Sequence, residues 1–188
     1  MTIKTALITG GASGLGYEFA TLLAKDAYHL ILIDIDSEKL KETKKKLEDK
    51  YKTQVITIRK DMSTHNCASE LFEEIKETPI DVLINNAGFG LYGHFHNTDW
   101  EREASMLNLH IISTTHLTKL ILKGMVEKGQ GKILNMSSLA AFQPGPLMSI
   151  YYASKAYILS FSEAIANELK GTGVTVTVLC PGQTKTSF

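Results

Sequence analysis

The chain has 188 residues with 20 basic and 20 acidic side chains, enough for one domain with its own core and too short for two comfortable ones. Zero net charge gives no long-range attraction to nucleic acid or to an anionic membrane. Two cysteines, Cys67 and Cys180, build no disulfide framework, Met1 to Lys4 run straight into a strand pattern with no room for a signal peptide, and no apolar stretch reaches spanning length, so a soluble cytoplasmic protein is expected.

The first short apolar run is Thr5 to Thr9, followed by the turn Thr9-Gly10-Gly11-Ala12-Ser13-Gly14-Leu15-Gly16 and a helical pattern over Gly14 to Lys25. Glycines there let the backbone turn sharply and approach a pyrophosphate, whose charge a helix N-terminus favours. The spacing is T-G-x-x-x-G-x-G rather than G-x-G-x-x-G, because position 19 is Phe. A second run, Leu30 to Ile33, ends at Asp34. A carboxylate at that place accepts from the hydroxyls of an adenosine ribose and repels a 2′-phosphate by about 4 kcal/mol at 4 Å and an effective dielectric of about 20. No Lys or Arg lies between Gly10 and Gly16 to offset it, so NAD is favoured over NADP.

The helix expected over Ser37 to Lys50 has interleaved charges, with Glu42 and Lys46 spaced for an i,i+4 pair, and reads as a solvated face. The remaining runs are Val55 to Ile58, Val82 to Ile84, Lys132 to Asn135 and Val174 to Leu179. Helical patterns cover Ser63 to Lys76, Trp100 to Glu127 and Ile150 to Leu169; Thr98 with Glu101 reads as a capping box, and Gly171-Thr172-Gly173 ends the last helix. Apolar strands alternating with helices predict buried parallel strands joined by right-handed crossovers, an open doubly wound α/β sheet.

Tyr151 and Lys155 are one helical turn apart, in Tyr-Tyr-Ala-Ser-Lys, downstream of Ser138. A phenol with a reference pKa of about 10 becomes a base at neutral pH only after a shift of about three units, roughly 4 kcal/mol, and a fixed ammonium is the kind of neighbour that supplies it. His94 and His96 have no third ligand at metal spacing, so no metal is expected. His110 and His116 read as packing or interface residues of a long helix, and Tyr152 and Ser137 as structural neighbours of Tyr151 and Ser138.

In this order and spacing the motifs resemble the short-chain dehydrogenase/reductase family across the whole chain. The resemblance implies a Rossmann-type sheet of order 3-2-1-4-5-6 and a cofactor site made by Gly10, Ser13, Gly14, Leu15, Gly16, Asp34, Asp61, Met62, Asn86, Ala87, Gly88, Tyr151, Lys155, Pro181, Gly182, Thr184 and Thr186. It implies Tyr151 as the general acid or base, Lys155 as the group that lowers its pKa and binds the nicotinamide ribose, Ser138 as the donor to the substrate oxygen, and Asn108 as a holder of a proton-path water. Family members continue past the Pro-Gly segment to a substrate-covering region and a last strand, so truncation of the chain at Phe188 is expected.

By the same resemblance the protein is expected to be an NAD-dependent alcohol dehydrogenase or carbonyl reductase, a homodimer or homotetramer pairing through its two longest helices. Phe89, Leu91, Tyr92, Phe142, Pro144, Leu147 and Met148 fall in the family's pocket loops, and their apolar character points to a hydrophobic ketone or secondary alcohol. The alternatives are an NADPH-dependent carbonyl or 3-oxoacyl reductase, an epimerase or dehydratase of the family's extended branch, and a nucleotide-binding sensor without turnover.

Overall fold

The computed structural model describes residues 3–182. Six parallel strands run in the order β3-β2-β1-β4-β5-β6: β1 Thr5–Thr9, β2 His29–Asp34, β3 Val55–Arg59, β4 Val82–Asn85, β5 Gly131–Met136 and β6 Val174–Leu179. The expected doubly wound sheet and its strand order are both present.

Strand side chains alternate between faces, and here each face meets its own helices. Leu7, Ile31, Ile33, Leu83 and Ile133 pack in one cluster with Leu71 and Ile75 of α3 (Cys67–Ile75) and Leu117 and Ile121 of α5 (Thr114–Lys128). Ala6, Ile8, Leu30, Leu32 and Ile84 pack in another with Ala20 and Ala24 of α1 (Gly14–Lys25) and Leu40 and Leu47 of α2 (Ser37–Tyr51). Burial on both faces is why the strands read as continuous apolar runs.

A buried polar chain crosses the middle of the molecule. Asn85 Nδ2 donates to Thr118 Oγ1 and to Asn135 Oδ1, each at 2.9 Å, and Asn135 Nδ2 donates to Ser162 Oγ at 2.9 Å. Ser162 lies on α6, Ser149–Glu168, so this chain joins α5, β4, β5 and α6. At the opposite end of β4, Asp81 accepts from Thr5 N at 2.8 Å and from Lys128 Nζ at 2.6 Å.

Two expected elements differ, and one further element appears. The third helix begins at Cys67 rather than Ser63, because Asp61 Oδ1 takes the Ser63 amide and hydroxyl at 2.8 and 2.7 Å and bends the chain into an Asx turn. The fourth helix is α4 (Trp100–Leu107), then a π-helical segment Asn108–Ser113, then α5. Its cap is Asp99, which accepts from Glu101 N at 3.0 Å, while Thr98 Oγ1 donates instead to Glu103 Oε1 at 2.7 Å. A short 3-10 helix, Leu139–Phe142, was not anticipated.

Candidate active site

The sheet order reverses between β1 and β4, and a crevice at such a point is where α/β sheets take ligands. Gly10 and Gly14 have φ of +64° and +53°, which glycine adopts at no steric cost, and a Cβ on Gly16 would run into the Gly10 carbonyl. The turn is strapped to the end of β4. Asn86 Nδ2 donates to the Thr9 and Gly10 carbonyls, each at 3.0 Å, and Thr9 Oγ1 accepts from the Asn86 and Ala87 amides at 3.0 and 3.1 Å. Ser13 sits at the N-cap of α1 with Leu15 in its first turn, and no acidic residue occupies that turn. Its amides therefore present positive potential to an anion.

Asp34 ends β2 beside the turn. Its Oδ2 accepts from Ala12 N and its Oδ1 from Asp36 N, both at 3.1 Å. The carboxylate thus shapes the turn itself, and its remaining lone pairs can accept from a ribose. A cavity of about 240 Å³ next to the turn is lined by Ala12, Ser13, Gly14, Tyr17, Lys39, Glu42, Thr43 and Lys46. The sequence hid those two lysines, because they come from α2 rather than from the turn. Met62 is buried, and Asp61 is an exposed turn residue. A dinucleotide fits what is present: a glycine turn closed to side chains, a helix N-terminus with no acidic residue in its first turn and a carboxylate within the same bend.

The second half of the crevice comes from β5 and α6. Ser138 is extended at the end of β5, with φ −165°, and caps the 3-10 helix by accepting from Ala140 N at 3.1 Å. That leaves its hydroxyl proton for another acceptor, and its hydrogen bond to Tyr151 pulls the phenol pKa down. Burial is the larger effect and raises it, so the phenol stays protonated at neutral pH.

Lys155 is 5% exposed, and its Nζ donates to the Met136 carbonyl at 2.9 Å, 5.6 Å from the centre of the Tyr151 ring. Burial lowers its pKa to about 8, against a smaller opposing influence of Cys180. The net shift of the Tyr151 phenol is upward, with burial as its largest cause. The pair is adjacent, and the ammonium is engaged with a carbonyl. The backbone of α6 is held in place by Ser137 Oγ, which donates to the Lys155 carbonyl at 2.8 Å.

Asn108 lies in the π-helical segment, and its Nδ2 donates to the Ser63 carbonyl. Its amide ties that segment to the loop after β3. His110, expected as packing or interface, is 2% exposed and hydrogen-bonded through both ring nitrogens. Pro181 is tied to the site by Leu139 N, which donates to its carbonyl at 3.1 Å, and a Cβ on Gly182 would touch Leu139 Cδ1. Thr184 and Thr186 lie outside the described residues.

Three aromatic side chains of the segments that follow β4 and β5 are exposed. Tyr92, Phe95 and Phe142 are 72%, 64% and 64% exposed, and the loops carrying them are linked by Gly93 N, which donates to the Leu147 carbonyl at 2.8 Å. His94 and His96 stack with ring centres 5.7 Å apart, and no group of three or more potential metal ligands occurs among the described residues.

The sequence pattern of the short chain dehydrogenases matches residues 4–188. A ketoacyl reductase, HetN, of Nostoc sp. is 35% identical over 97% of this chain and 64% of its own length. The very-long-chain 3-oxoacyl-CoA reductase of Rattus norvegicus is 32% identical over 94% of this chain and 58% of its own. The chain therefore spans about three fifths of the length of these relatives.

Among solved structures, a bulky-bulky ketone specific alcohol dehydrogenase from Comamonas testosteroni superposes with a TM-score of 0.93 at 28% identity, over 98% of this chain and 75% of that one. A short-chain dehydrogenase from Sphingobium yanoikuyae in complex with NADPH gives 0.93 at 30% identity, over 98% and 72%. A short-chain dehydrogenase/reductase from Burkholderia phymatum in complex with NAD gives 0.91 at 29%, over 98% and 67%.

Proposed function

The chain belongs to the short-chain dehydrogenase/reductase family of NAD(P)-binding oxidoreductases, and on that footing we propose that it transfers a hydride between NAD(H) and a hydrophobic ketone or secondary alcohol. The observation that carries this reading is the meeting of Ser138, Tyr151 and Lys155 at the end of β5 and the start of α6, next to the crevice between β1 and β4.

A nicotinamide cofactor held along the crevice would supply the hydride for the carbonyl carbon. The Tyr151 hydroxyl gives its proton to the carbonyl oxygen as charge builds there, and becomes a phenolate in doing so. Ser138 donates a hydrogen bond to the same oxygen, its hydroxyl oriented by Ala140 N. Lys155, an ammonium below about pH 8, favours the phenolate that proton donation leaves behind and would, on the family pattern, also hold a ribose hydroxyl of the cofactor. Asn108 holds the π-helical segment against the loop after β3 and is assigned, on the family pattern, to the route by which Tyr151 regains a proton. Oxidation of an alcohol is the reverse.

On the cofactor side we assign Gly10, Ser13, Gly14, Leu15 and Gly16 to the pyrophosphate, Asp34 to the adenosine ribose, Asp61 and Met62 to the adenine, Asn86, Ala87 and Gly88 to the ribose passage, and Pro181 and Gly182 to the nicotinamide end. NAD is favoured by Asp34. NADPH is the second reading: Lys39 and Lys46 line the cavity beside the turn, but each is within ion-pair distance of an acid, Asp36 and Glu42, so a 2′-phosphate would have to draw them from those partners. The exposed aromatic residues of the segments after β4 and β5, and relatives named for ketones and 3-oxoacyl substrates, support an apolar substrate. Ile112 and Tyr157, 58% and 38% exposed on helices that meet through Thr115 and Tyr157, support pairing of two copies. Free cysteines at 67 and 180 support a reducing cytoplasm. No described helix is long and apolar enough to cross a membrane.

Purified protein mixed with a panel of aliphatic and aromatic ketones is expected to consume NADH faster than NADPH, read by nicotinamide absorbance. A strong NADPH preference would overturn the cofactor assignment, and binding of either cofactor without turnover of any ketone or alcohol would point to a sensor.

A further inference from the structure

His110 is set in the π-helical segment between the loop that follows β4 and the first turns of α6. The Phe89 amide donates to its Nε2 at 3.3 Å, and its Nδ1 lies 2.9 Å from Ser154 Oγ. The Ser154 hydroxyl donates its single proton to the Tyr151 carbonyl at 2.7 Å, so toward His110 it accepts. Both ring nitrogens are thereby assigned: Nε2 is bare and Nδ1 carries the proton. The ring is neutral, and burial together with the nearby Lys155 charge holds its pKa well below the ordinary histidine value.

The surroundings give this ring leverage over the chemistry. Its centre is 5.9 Å from that of Tyr151, at an interplanar angle of 70°. A Cβ added to Gly88 would come within 2.9 Å of His110 Nε2 and 3.6 Å of Lys155 Nζ. The same imidazole thus sets the distance of the Gly88 backbone from the lysine and, through Ser154, fixes the carbonyl of the residue that bears the phenol.

We propose that His110 is a positioning residue, a neutral two-ended clamp that fixes the gap between the Gly88–Phe89 cofactor loop and the Tyr151 turn of α6. This deepens the dehydrogenase reading and rests on it for its consequence, though not for its geometry. Its two ends are separable by substitution. Asparagine places an amide where Nδ1 stood and keeps the Ser154 bond, whereas glutamine places one where Nε2 stood and keeps the Phe89 bond.

The test measures amide hydrogen exchange at Phe89 without cofactor, the cofactor dissociation constant, and kcat with one ketone, for the native protein, His110→Asn and His110→Gln, alongside thermal melting. In His110→Asn, Phe89 exchange is expected to speed by about tenfold, and cofactor affinity is expected to fall by a larger factor than kcat. In His110→Gln, Phe89 stays protected and kcat falls by a larger factor than affinity. Equal Phe89 exchange in all three proteins, or losses of affinity and kcat that share one ratio and follow melting in both variants, would overturn the clamp. Nitrogen NMR of the native ring gives a second test that needs no variant: a protonated ring or an Nε2–H tautomer at neutral pH refutes the assignment. Should no ketone be turned over, the dehydrogenase reading fails, while the exchange and tautomer results still decide the clamp.

Discussion

Lys155 shows how burial and function pull against each other in one side chain. Unfolded, its amine titrates near 10.5; folded, it titrates at about 8. Between those values the unfolded chain holds a proton that the folded chain has released, so stability rises with pH across that window. Below about pH 8 the cost of burying the ammonium is present in full, at most about 3 kcal/mol at roughly 1.4 per unit. Cofactor-free protein is therefore expected to gain stability toward urea from pH 8 to 10, and Lys155→Met is expected to be more stable at pH 7 and to lose that slope. A variant with the native slope would mean that another group titrates there. Above pH 10 the raised Tyr151 pKa works in the opposite direction, because the folded phenol then holds its proton longer than the unfolded one.

Ser138 makes the complementary prediction. Its hydrogen bond lowers the Tyr151 pKa, so Ser138→Ala is expected to raise that pKa further and to cut kcat by about 10²–10³-fold, read from the pH dependence of ketone reduction. The Tyr-Lys spacing was legible because a helical turn fixes which side chains can meet, whereas Ser138 lies on another element and was reached only through the family resemblance. His110 was not legible, since a single histidine on an apolar helix gives no sign that both of its nitrogens will find partners on two other elements.

Among the elements, the strands were the most readable, because two-sided burial turns each into an unbroken apolar run. The helix over 100–127 was the least. Asn108, Leu109 and His110 are all buried, a run that one face of a regular helix does not produce and that the π-helical segment accommodates between the sheet and α6. A period of 3.6 has no signature for that extra residue. The start of α3 was lost to a local competitor, since Asp61 captures Ser63 before a helix can form. The buried chain through Asn85 and Asn135 is what holds β4 and β5 in register beneath the site. Asn135→Leu is expected to cost about 1–3 kcal/mol for each donor or acceptor it strands, measured by urea unfolding. A change under about 0.5 kcal/mol would show that the network is replaced by water.

For the molecule as a whole, the parallel sheet collects the chemistry. Every residue assigned to cofactor or substrate lies at or beyond the C-terminal ends of the strands or on the helices and loops that follow them, although these residues are spread over most of the sequence. The strand pattern was enough to locate that end, but it could not place Lys39 and Lys46 of α2 beside the glycine turn. Those lysines are already paired with Asp36 and Glu42, yet if a 2′-phosphate draws on them, Lys39→Glu with Lys46→Glu is expected to raise the NADH to NADPH ratio of kcat/KM by about tenfold or more, and an unchanged ratio would place the 2′-hydroxyl away from α2.

The central claim is that the Tyr151 hydroxyl moves the proton that accompanies hydride transfer. It is tested most directly by ketone reduction with Tyr151→Phe, with reduced-cofactor binding measured on the same sample. Removing a general acid is expected to lower kcat by about 10²–10⁴-fold and to leave cofactor affinity within about threefold. A variant that reduces ketones at the native rate would contradict it.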